Sequence, residues 1–158
     1  MKKLSSEILR QHKGASFVGV TATFFCYDGS GEFFLAKRSQ NARDEKSRWE
    51  VGAGGLKWGV DPLENVRREI KEEYGAKAKK IEFLGYRNML RKLEDGTPTH
   101  WIGLDFAVLV DRKQMKNNEP DMFDEVGWFT LENLPTPVHS QMPGYLKKYK
   151  NQLAKILG

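Results

Sequence analysis

The sequence has few of the residues that mark disulfide-linked, zinc-binding or membrane proteins. Its single cysteine, Cys26, excludes an intramolecular disulfide and a cysteine-rich zinc site. No apolar run approaches the roughly 20 residues that a transmembrane helix needs. Residues 1–7 carry charge without the apolar stretch of a secretory signal. We therefore expect a cytoplasmic protein that does not bind membranes.

Acidic residues are outnumbered by basic ones. The 158 residues include 26 Lys and Arg against 21 Asp and Glu, a net charge of +5. This balance favours anionic partners such as phosphates. No run of basic residues stands among interleaved aromatic ones, so nucleic acid is not the expected partner. The oligomeric state is left open, a dimer included.

The chain length and the pattern of apolar and turn residues predict one mixed α/β domain over residues 1–158. We expect a short helix at residues 4–12 and a C-terminal helix with apolar residues at helical spacing. Strands are predicted at residues 16–26, 32–38, 49–51, 81–91, 99–110 and 125–130. The polar stretch 39–47 and the glycine-rich stretch 52–55 are predicted to be loops.

The clearest helix is predicted over residues 62–74. Asp61 is a suitable N-cap, Pro62 suits the first helical position, and Gly75 is suited to the residue that follows the helix. The apolar residues step by three or four positions and form one face, which consists of Leu63, Val66, Ile70 and Tyr74.

Three acids of this helix are placed unusually for a surface helix. Glu69, Glu72 and Glu73 fall within about 100° of arc, and Glu73 lies about 20° from the buried position of Val66. Glu69 and Glu73 repel each other across one turn, and burial adds a desolvation cost. Oxygen ligands on one rigid face suit a hard cation, Mg²⁺ or Mn²⁺, and not zinc.

A solvated, salt-bridged helix face is the alternative interpretation, because Arg68 is spaced to pair with Glu64 and with Glu72. The preceding loop favours the metal site. Gly54 and Gly55 allow backbone to come close to a ligand directly before the acidic helix.

Together, residues 54–76 resemble the motif of the Nudix hydrolase family. The motif consists of Gly, five residues, Glu, seven residues, and then Arg-Glu-aliphatic-x-Glu-Glu-x-Gly-aliphatic. Gly54 matches the first position, and the stretch 68–76, Arg-Glu-Ile-Lys-Glu-Glu-Tyr-Gly-Ala, matches the second half. One position departs, because Val60 stands where the family has Glu.

The resemblance implies the Nudix fold, a mixed β-sheet sandwiched between helices. It also implies Mg²⁺-dependent hydrolysis of the pyrophosphate bond of a nucleoside diphosphate linked to another moiety. The substrate stays open among a nucleoside triphosphate, oxidised or not, ADP-ribose, a dinucleotide and a nucleotide sugar. An RNA end fits the basic charge, although no RNA-tracking motif is present. A Nudix-like domain that has lost turnover and binds nucleotides as a sensor is the alternative.

The resemblance also assigns roles to the motif residues. Glu69, Glu72 and Glu73 would bind Mg²⁺ or Mn²⁺ and act in catalysis, and Arg68 would orient one of these glutamates through a bidentate pair. Gly54 and Gly55 would let phosphate oxygens approach the backbone.

Other residues are candidates for the same site. Glu125 is the first choice for a further metal ligand among four acids that precede the Trp-Phe strand, the others being Glu119, Asp121 and Asp124. Arg38 would meet phosphate charge, and Trp58 would stack on a base. A solvated acidic loop and an ordinary strand end are the alternatives for the acids and for Arg38. His100 and His139 are expected to have structural roles.

Overall fold

The computed structural model describes residues 3–158 and contains one seven-stranded sheet with helices on both faces. Its strands are β1 (Gly19–Tyr27), β2 (Phe33–Arg38), β3 (Trp49–Glu50), β4 (Gly52–Gly55), β5 (Ala78–Lys92), β6 (Pro98–Val110) and β7 (Phe123–Phe129). Its helices are α1 (Ser6–His12), α2 (Pro62–Tyr74), α3 (Met142–Lys148) and α4 (Lys150–Leu157). A short 3₁₀ turn spans Arg112–Gln114. Within residues 3–158, no helix is both long and apolar enough to cross a membrane.

The sheet is mixed, and β1 is its central strand. The main order is β3-β2-β1-β6-β5, with β4 paired to β1 and β7 paired to β2. β1 runs parallel to β6 and antiparallel to its other partners. It meets β2 at Tyr27 and Phe33, the hairpin end, and meets β4 along its first half. The glycine-rich stretch is therefore paired against the middle of the sheet.

Each face of the sheet packs against different helices, as the predicted α/β/α arrangement requires. On one face, Phe24 and Phe106 pack with Val66, Ile70 and Tyr74 of α2. Strand residues one position further along, Phe25, Leu35 and Ala107, point to the opposite face. They pack with the C-terminal helices through Tyr145, Tyr149 and Leu153. Burying each large apolar side chain contributes about 1.5–3 kcal/mol.

The predicted limits of α2 are confirmed. The Asp61 carboxylate accepts a hydrogen bond from the backbone N–H of Leu63 at 2.9 Å. Gly75 ends the helix in the left-handed conformation, φ 68°, and its N–H donates to the carbonyl of Lys71. Leu63 is 39% exposed, so the buried face is narrower than the sequence pattern predicts.

Several predicted elements differ from the structure, and β5 begins at Ala78, three residues before its predicted start. Residues 52–55 form strand β4 and not a loop, because glycines pair with β1 while leaving room above the strand. The first strand begins at Gly19 and not at Ser16, since a tight turn joins the Gly14 N–H to the Phe17 carbonyl. The C-terminal helix is divided into α3 and α4 at Tyr149, whose backbone has φ −101° and ψ 14°.

Candidate active site

A cavity of about 870 Å³ opens beside β4 and the start of the Nudix-like motif. Its floor is formed by β1, β4, β5 and β6, and its rim by α1, residues 38–50 and residues 139–145. Its volume is typical of a small-molecule site. Gly54, Gly55 and Glu69 lie at one end of the cavity wall, so the motif and the cavity form one site.

Gly54 of β4 lies directly against the Glu69 side chain of α2. A Cβ atom at this position would lie 2.4 Å from Cδ of Glu69 and 2.8 Å from its Oε1. The Gly54 carbonyl accepts hydrogen bonds from Oγ1 of Thr21 at 3.1 Å and from Nδ2 of Asn65 at 3.4 Å. A glycine is required here because the Glu69 carboxylate occupies the space of a side chain.

Arg68 lies between two of the motif acids. Its Nη2 donates to Oε1 of Glu69 at 2.6 Å and to Oδ1 of Asn65 at 2.7 Å. Its Nε lies 3.6 Å from Oε1 of Glu72. The Arg68–Glu64 pair that the spacing allows is not formed, because Glu64 accepts from Nη1 of Arg67 at 2.8 Å. Arg68 is therefore free to hold Glu69 and Glu72.

Glu73 is a buried carboxyl group without a partner. Its residue is 7% exposed, and Oε2 has no hydrogen-bond partner among residues 3–158. Burial raises the pKa of Glu73 well above its ordinary value, and the negative charges of Glu69, Glu50 and Glu119 raise it further. Such a group is costly in an apolar interior unless a cation or a hydrogen bond satisfies it.

Glu119 is the downstream acid that the structure brings to α2. Its pKa is raised by burial and by the charges of Glu69 and Glu72. The neighbouring Asn118 fixes this loop, since its backbone N–H donates to the Glu73 carbonyl and its Nδ2 to the Glu72 carbonyl, both at 2.9 Å.

Glu125, the first choice from the sequence, lies elsewhere. It pairs across the β2–β7 register with Lys37, whose Nζ donates to Oε1 at 2.7 Å. The Glu125 side chain is 56% exposed. The structure therefore does not group Glu125 with the α2 acids, because strand pairing directs its side chain to a lysine.

Arg38 and Trp58, the side chains predicted to contact substrate, both border the cavity, but only Trp58 is free of strong bonds to other residues. The guanidinium of Arg38 is already bonded to Glu50 at 2.6 Å and to Asp44 at 3.1 Å, so it is not free for phosphate. Trp58 is 89% exposed and borders the cavity, with Nζ of Lys3 5.0 Å from its ring centre. Stacking of a base on Trp58 stays a prediction.

His139 and Glu50 are cavity residues that the sequence did not mark as functional. Nδ1 of His139 accepts from the Gln141 N–H at 3.1 Å, and its Nε2 lies 3.7 Å from Oε2 of Glu50. Burial lowers the pKa of His139, against the opposing charges of Glu50 and Glu45. His100 lies away from the cavity and bonds Asn88 at 2.6 Å. His139 and Glu50 are 89 positions apart in the sequence, so no motif spacing links them and only the fold shows that they are neighbours.

Helix α1 and the segment after it contribute a basic rim. Nζ of Lys13 donates to the Leu56 carbonyl at 2.7 Å, and Nη1 of Arg43 donates to the Lys13 carbonyl at 3.0 Å. Arg10 and Lys57 also border the cavity, and neither forms an ion pair within residues 3–158. Uncompensated cations at this rim favour an anionic ligand.

The donor chemistry of the site fits a hard divalent cation. The acids supply oxygen only, which Mg²⁺ and Mn²⁺ prefer, and the buried Oε2 of Glu73 lacks a partner. No three acidic, histidine or cysteine side chains in the described part of the chain are already arranged as a metal site.

A mixed sheet between helices, with a glycine strand against a helix of glutamates, is the arrangement that the resemblance to Nudix hydrolases implies. The sequence model of the NUDIX domain matches residues 18–149. The chain belongs to the NUDIX family and is a pyrophosphohydrolase of this family, whose enzymes use divalent metal ions.

Known proteins agree with this placement. The nucleoside triphosphatase NudI of Enterobacter sp. (strain 638) is 28% identical over 113 residues, which cover 68% of this chain and 79% of NudI. A MutT NUDIX hydrolase from Burkholderia pseudomallei superposes with a TM-score of 0.73 at 23% identity, over 84% of this chain and 98% of its own. A MutT protein from Methanosarcina mazei Go1 gives 0.72 at 20% identity, over 85% and 94%. These two structures support the fold.

Proposed function

We propose that this protein is a cytoplasmic, Mg²⁺- or Mn²⁺-dependent enzyme that hydrolyses a nucleoside triphosphate or another nucleoside diphosphate derivative. The observation that carries the proposal is a group of four acids, Glu69, Glu72, Glu73 and Glu119. The buried Oε2 of Glu73, one of the four, has no hydrogen-bond partner within residues 3–158. The nucleoside triphosphatase relative favours a triphosphate over the other derivatives.

The reaction is attack of water on a phosphorus, with cleavage of the pyrophosphate P–O bond and departure of the other phosphate. A bound divalent cation would neutralise phosphate oxygens and lower the pKa of its water. Glu69, Glu72 and Glu73 would hold the cation, with Glu119 as a further donor, and one of the α2 glutamates would accept the proton of the attacking water. Arg68 would position Glu69.

The phosphates would lie at the Gly54–Gly55 end of the cavity. β4 exposes backbone there without side chains, and Arg10, Lys13 and Lys57 supply positive charge nearby. Burial lowers the pKa of Lys13, while its hydrogen bond to the Leu56 carbonyl keeps the ammonium group directed at the motif loop. These cations would offset the negative charge of the substrate phosphates, which otherwise repels a nucleophile.

A nucleotide panel tests the proposal. We expect release of phosphate or pyrophosphate from nucleoside triphosphates with Mg²⁺ or Mn²⁺, loss of turnover in excess chelator, and recovery when the metal is restored. The rate should rise at alkaline pH, because more of the metal-bound water is then ionised. Full turnover in chelator would contradict the metal requirement. Nucleotide binding without turnover would favour the sensor alternative.

Val60 gives a second prediction for the same site. Valine lacks the carboxylate that the motif has at this position, and Asp61 already uses an oxygen to cap α2. We expect Val60→Glu to lower the Mg²⁺ concentration for half-maximal rate, with a smaller change in the rate at saturation. Mg²⁺ titrations at fixed substrate measure both. Overlapping curves would mean that position 60 does not interact with the metal.

A further inference from the structure

The cavity contains a second polar group, on β5 and β6, that the proposed hydrolysis does not use. Asp105 is fully buried, and its Oδ2 accepts from Nε of Arg87 and from Oη of Tyr149, both at 2.7 Å. Its Oδ1 accepts from Nη2 of Arg87 at 2.8 Å. One carboxylate thus holds the guanidinium through two parallel bonds and is itself fixed by a third.

Two glycines make room for this group. Gly85 pairs with Asp105 in the sheet, and a Cβ there would lie 3.1 Å from Oη of Tyr149. Gly103 pairs with Arg87, and a Cβ there would lie 3.5 Å from Nη2 of Arg87. A larger residue at position 85 would crowd the Tyr149 hydroxyl that approaches Asp105, whereas a Cβ at position 103 would be in ordinary contact with Arg87 and would crowd Cε of Met89 at 3.0 Å.

Stability alone does not explain the pair. A buried ion pair is commonly no more stabilising than apolar residues of the same volume, because both charges lose their hydration. What the pair does achieve is a fixed guanidinium. Arg87 also donates from Nη2 to Oγ1 of Thr23 at 3.3 Å, and its Cζ lies 4.8 Å from the ring centre of Tyr145.

One hydrogen-bonding group at this part of the wall is unused. Nη1 of Arg87 has no partner among residues 3–158, whereas the Oη of Tyr145, also without a partner, is enclosed by the protein. Burial, with the charge of Asp105, raises the pKa of Tyr145, so the hydroxyl keeps its proton. Both residues line the cavity together with the apolar Met89 and Met142. Unsatisfied polar groups beside apolar walls are suited to a planar polar ring.

The position of Arg87 matches one end of a nucleotide. Gly55, Thr21, Gly103 and Arg87 lie in one row across β4, β1, β6 and β5. Three strand spacings separate Gly55 from Arg87, which is about 14 Å. An extended nucleotide has a similar extent from its phosphates to the far edge of its base. With phosphates at Gly55, the base would reach Arg87.

Resting on the proposed hydrolysis of nucleotides, we infer that Arg87 is a specificity-determining residue that binds the base through Nη1. Because Nη1 only donates, it selects a base whose edge carries a carbonyl oxygen at this place, such as O4 of uracil. The matching base with an amino group at the same place, such as cytosine, is disfavoured. Asp105 is a positioning residue that orients Arg87.

Pairs of substrates that differ at this edge of the base provide the test, because a carbonyl and a ring N–H in one are replaced by an amino group and a bare ring nitrogen in the other. We expect kcat/KM to be at least about 10-fold higher for dUTP than for dCTP, and for ITP than for ATP, because a hydrogen bond to a charged group is replaced by two opposed donors. Arg87→Lys keeps the charge, but its single ammonium group pairs with Asp105 and leaves no donor in the place of Nη1. Both ratios should therefore come close to one, mainly because KM rises for the carbonyl base. Asp105→Asn should shift them in the same direction.

Arg112→Lys is the matched control. Arg112 also bonds two carboxylates, Asp28 and Glu32, and its Cζ lies 4.8 Å over the ring of Trp128, but it lies outside the cavity. The control should leave the base ratios unchanged. If Arg87→Lys does not fold, the double variant Arg87→Met/Asp105→Leu takes its place, because it removes both charges of the buried pair. Its dUTP/dCTP and ITP/ATP ratios should also be close to one.

Binding of dUDP and dCDP, measured by calorimetry, separates this inference from the proposed function. Equal kcat/KM for dUTP and dCTP, or ratios unaffected by Arg87→Lys, overturns the base site while hydrolysis stands. A protein that hydrolyses no nucleotide but binds dUDP more tightly than dCDP, with the difference lost in Arg87→Lys, overturns the hydrolysis and supports the base site.

Discussion

Glu73→Gln should abolish most turnover while leaving the metal-free protein at least as stable as the wild type. Loss of one preorganised electrostatic group commonly lowers turnover on the order of 10²–10³-fold. Glu73 has no hydrogen-bond partner for Oε2 and lies among Glu50, Glu69 and Glu119. Removing its charge therefore removes repulsion and desolvation, and only the weaker attraction of Arg38 is lost.

Two measurements check this expectation. Initial rates at saturating Mg²⁺ report the loss of turnover, and thermal unfolding with and without Mg²⁺ reports stability. Mg²⁺ should raise the melting temperature of the wild type more than that of the variant, because a ligand stabilises the state that binds it. Glu64→Gln, on the exposed first turn of α2, is the control and should change neither result.

The raised pKa of Glu73 also predicts a pH dependence of stability. A carboxyl group whose pKa is higher in the folded than in the unfolded protein favours folding below the unfolded pKa, about 4.3. That contribution is lost as the pH rises towards and through the folded pKa. The free energy of unfolding of metal-free Glu73→Gln should therefore exceed the wild-type value by more at neutral pH than at pH near 4. A sharp fall in the variant's melting temperature would instead indicate a structural ion pair.

Gly54→Ala should disrupt both the stability and the activity of the protein. The added Cβ would lie 2.4 Å from Cδ and Cγ of Glu69, so either α2 or β4 has to move. Overpacking of this kind costs about 1–3 kcal/mol, and any shift of Glu69 changes the ligand set of the proposed metal site. We expect a lower melting temperature and a large loss of kcat.

Gly144→Ala is a suitable comparison for Gly54→Ala. Gly144 lies within α3, and no heavy atom lies within 4 Å of an added Cβ. Alanine should stabilise this helix by about 0.5–1 kcal/mol. Equal melting temperatures and rates for Gly54→Ala and the wild type would show that Glu69 moves away freely, and that its observed position is not required.

The local part of the site was predictable from sequence because it lies on one helix. A period of 3.6 residues places Glu69, Glu72 and Glu73 together and puts Glu73 at the buried edge, where the structure has it. Asp61 and Gly75 mark the ends of α2 through interactions within a few residues, which the sequence shows directly.

The long-range part was not predictable in the same way. Glu119 and Glu125 are equally acidic in sequence, and only the strand register gives Glu125 to Lys37 and leaves Glu119 near α2. Arg87 and Asp105 stand on separate strands, each surrounded by residues that predict a strand and nothing more. Pairing between distant strands decides such neighbours, and no single-sequence periodicity reports it.

Helix α1 has a practical consequence for how the enzyme is prepared. It precedes residues 18–149, the part that matches the family, yet Ser6, Leu9 and Arg10 border the cavity. An affinity tag attached before residue 1 would be only a few residues from a helix that lines the cavity, so its effect on substrate binding has to be measured. The opposite terminus is a better place for a tag, because the Leu157 carbonyl lies beside Gly31 in the β1–β2 turn. Kinetic constants from proteins tagged at the two ends should therefore be compared before either set is interpreted.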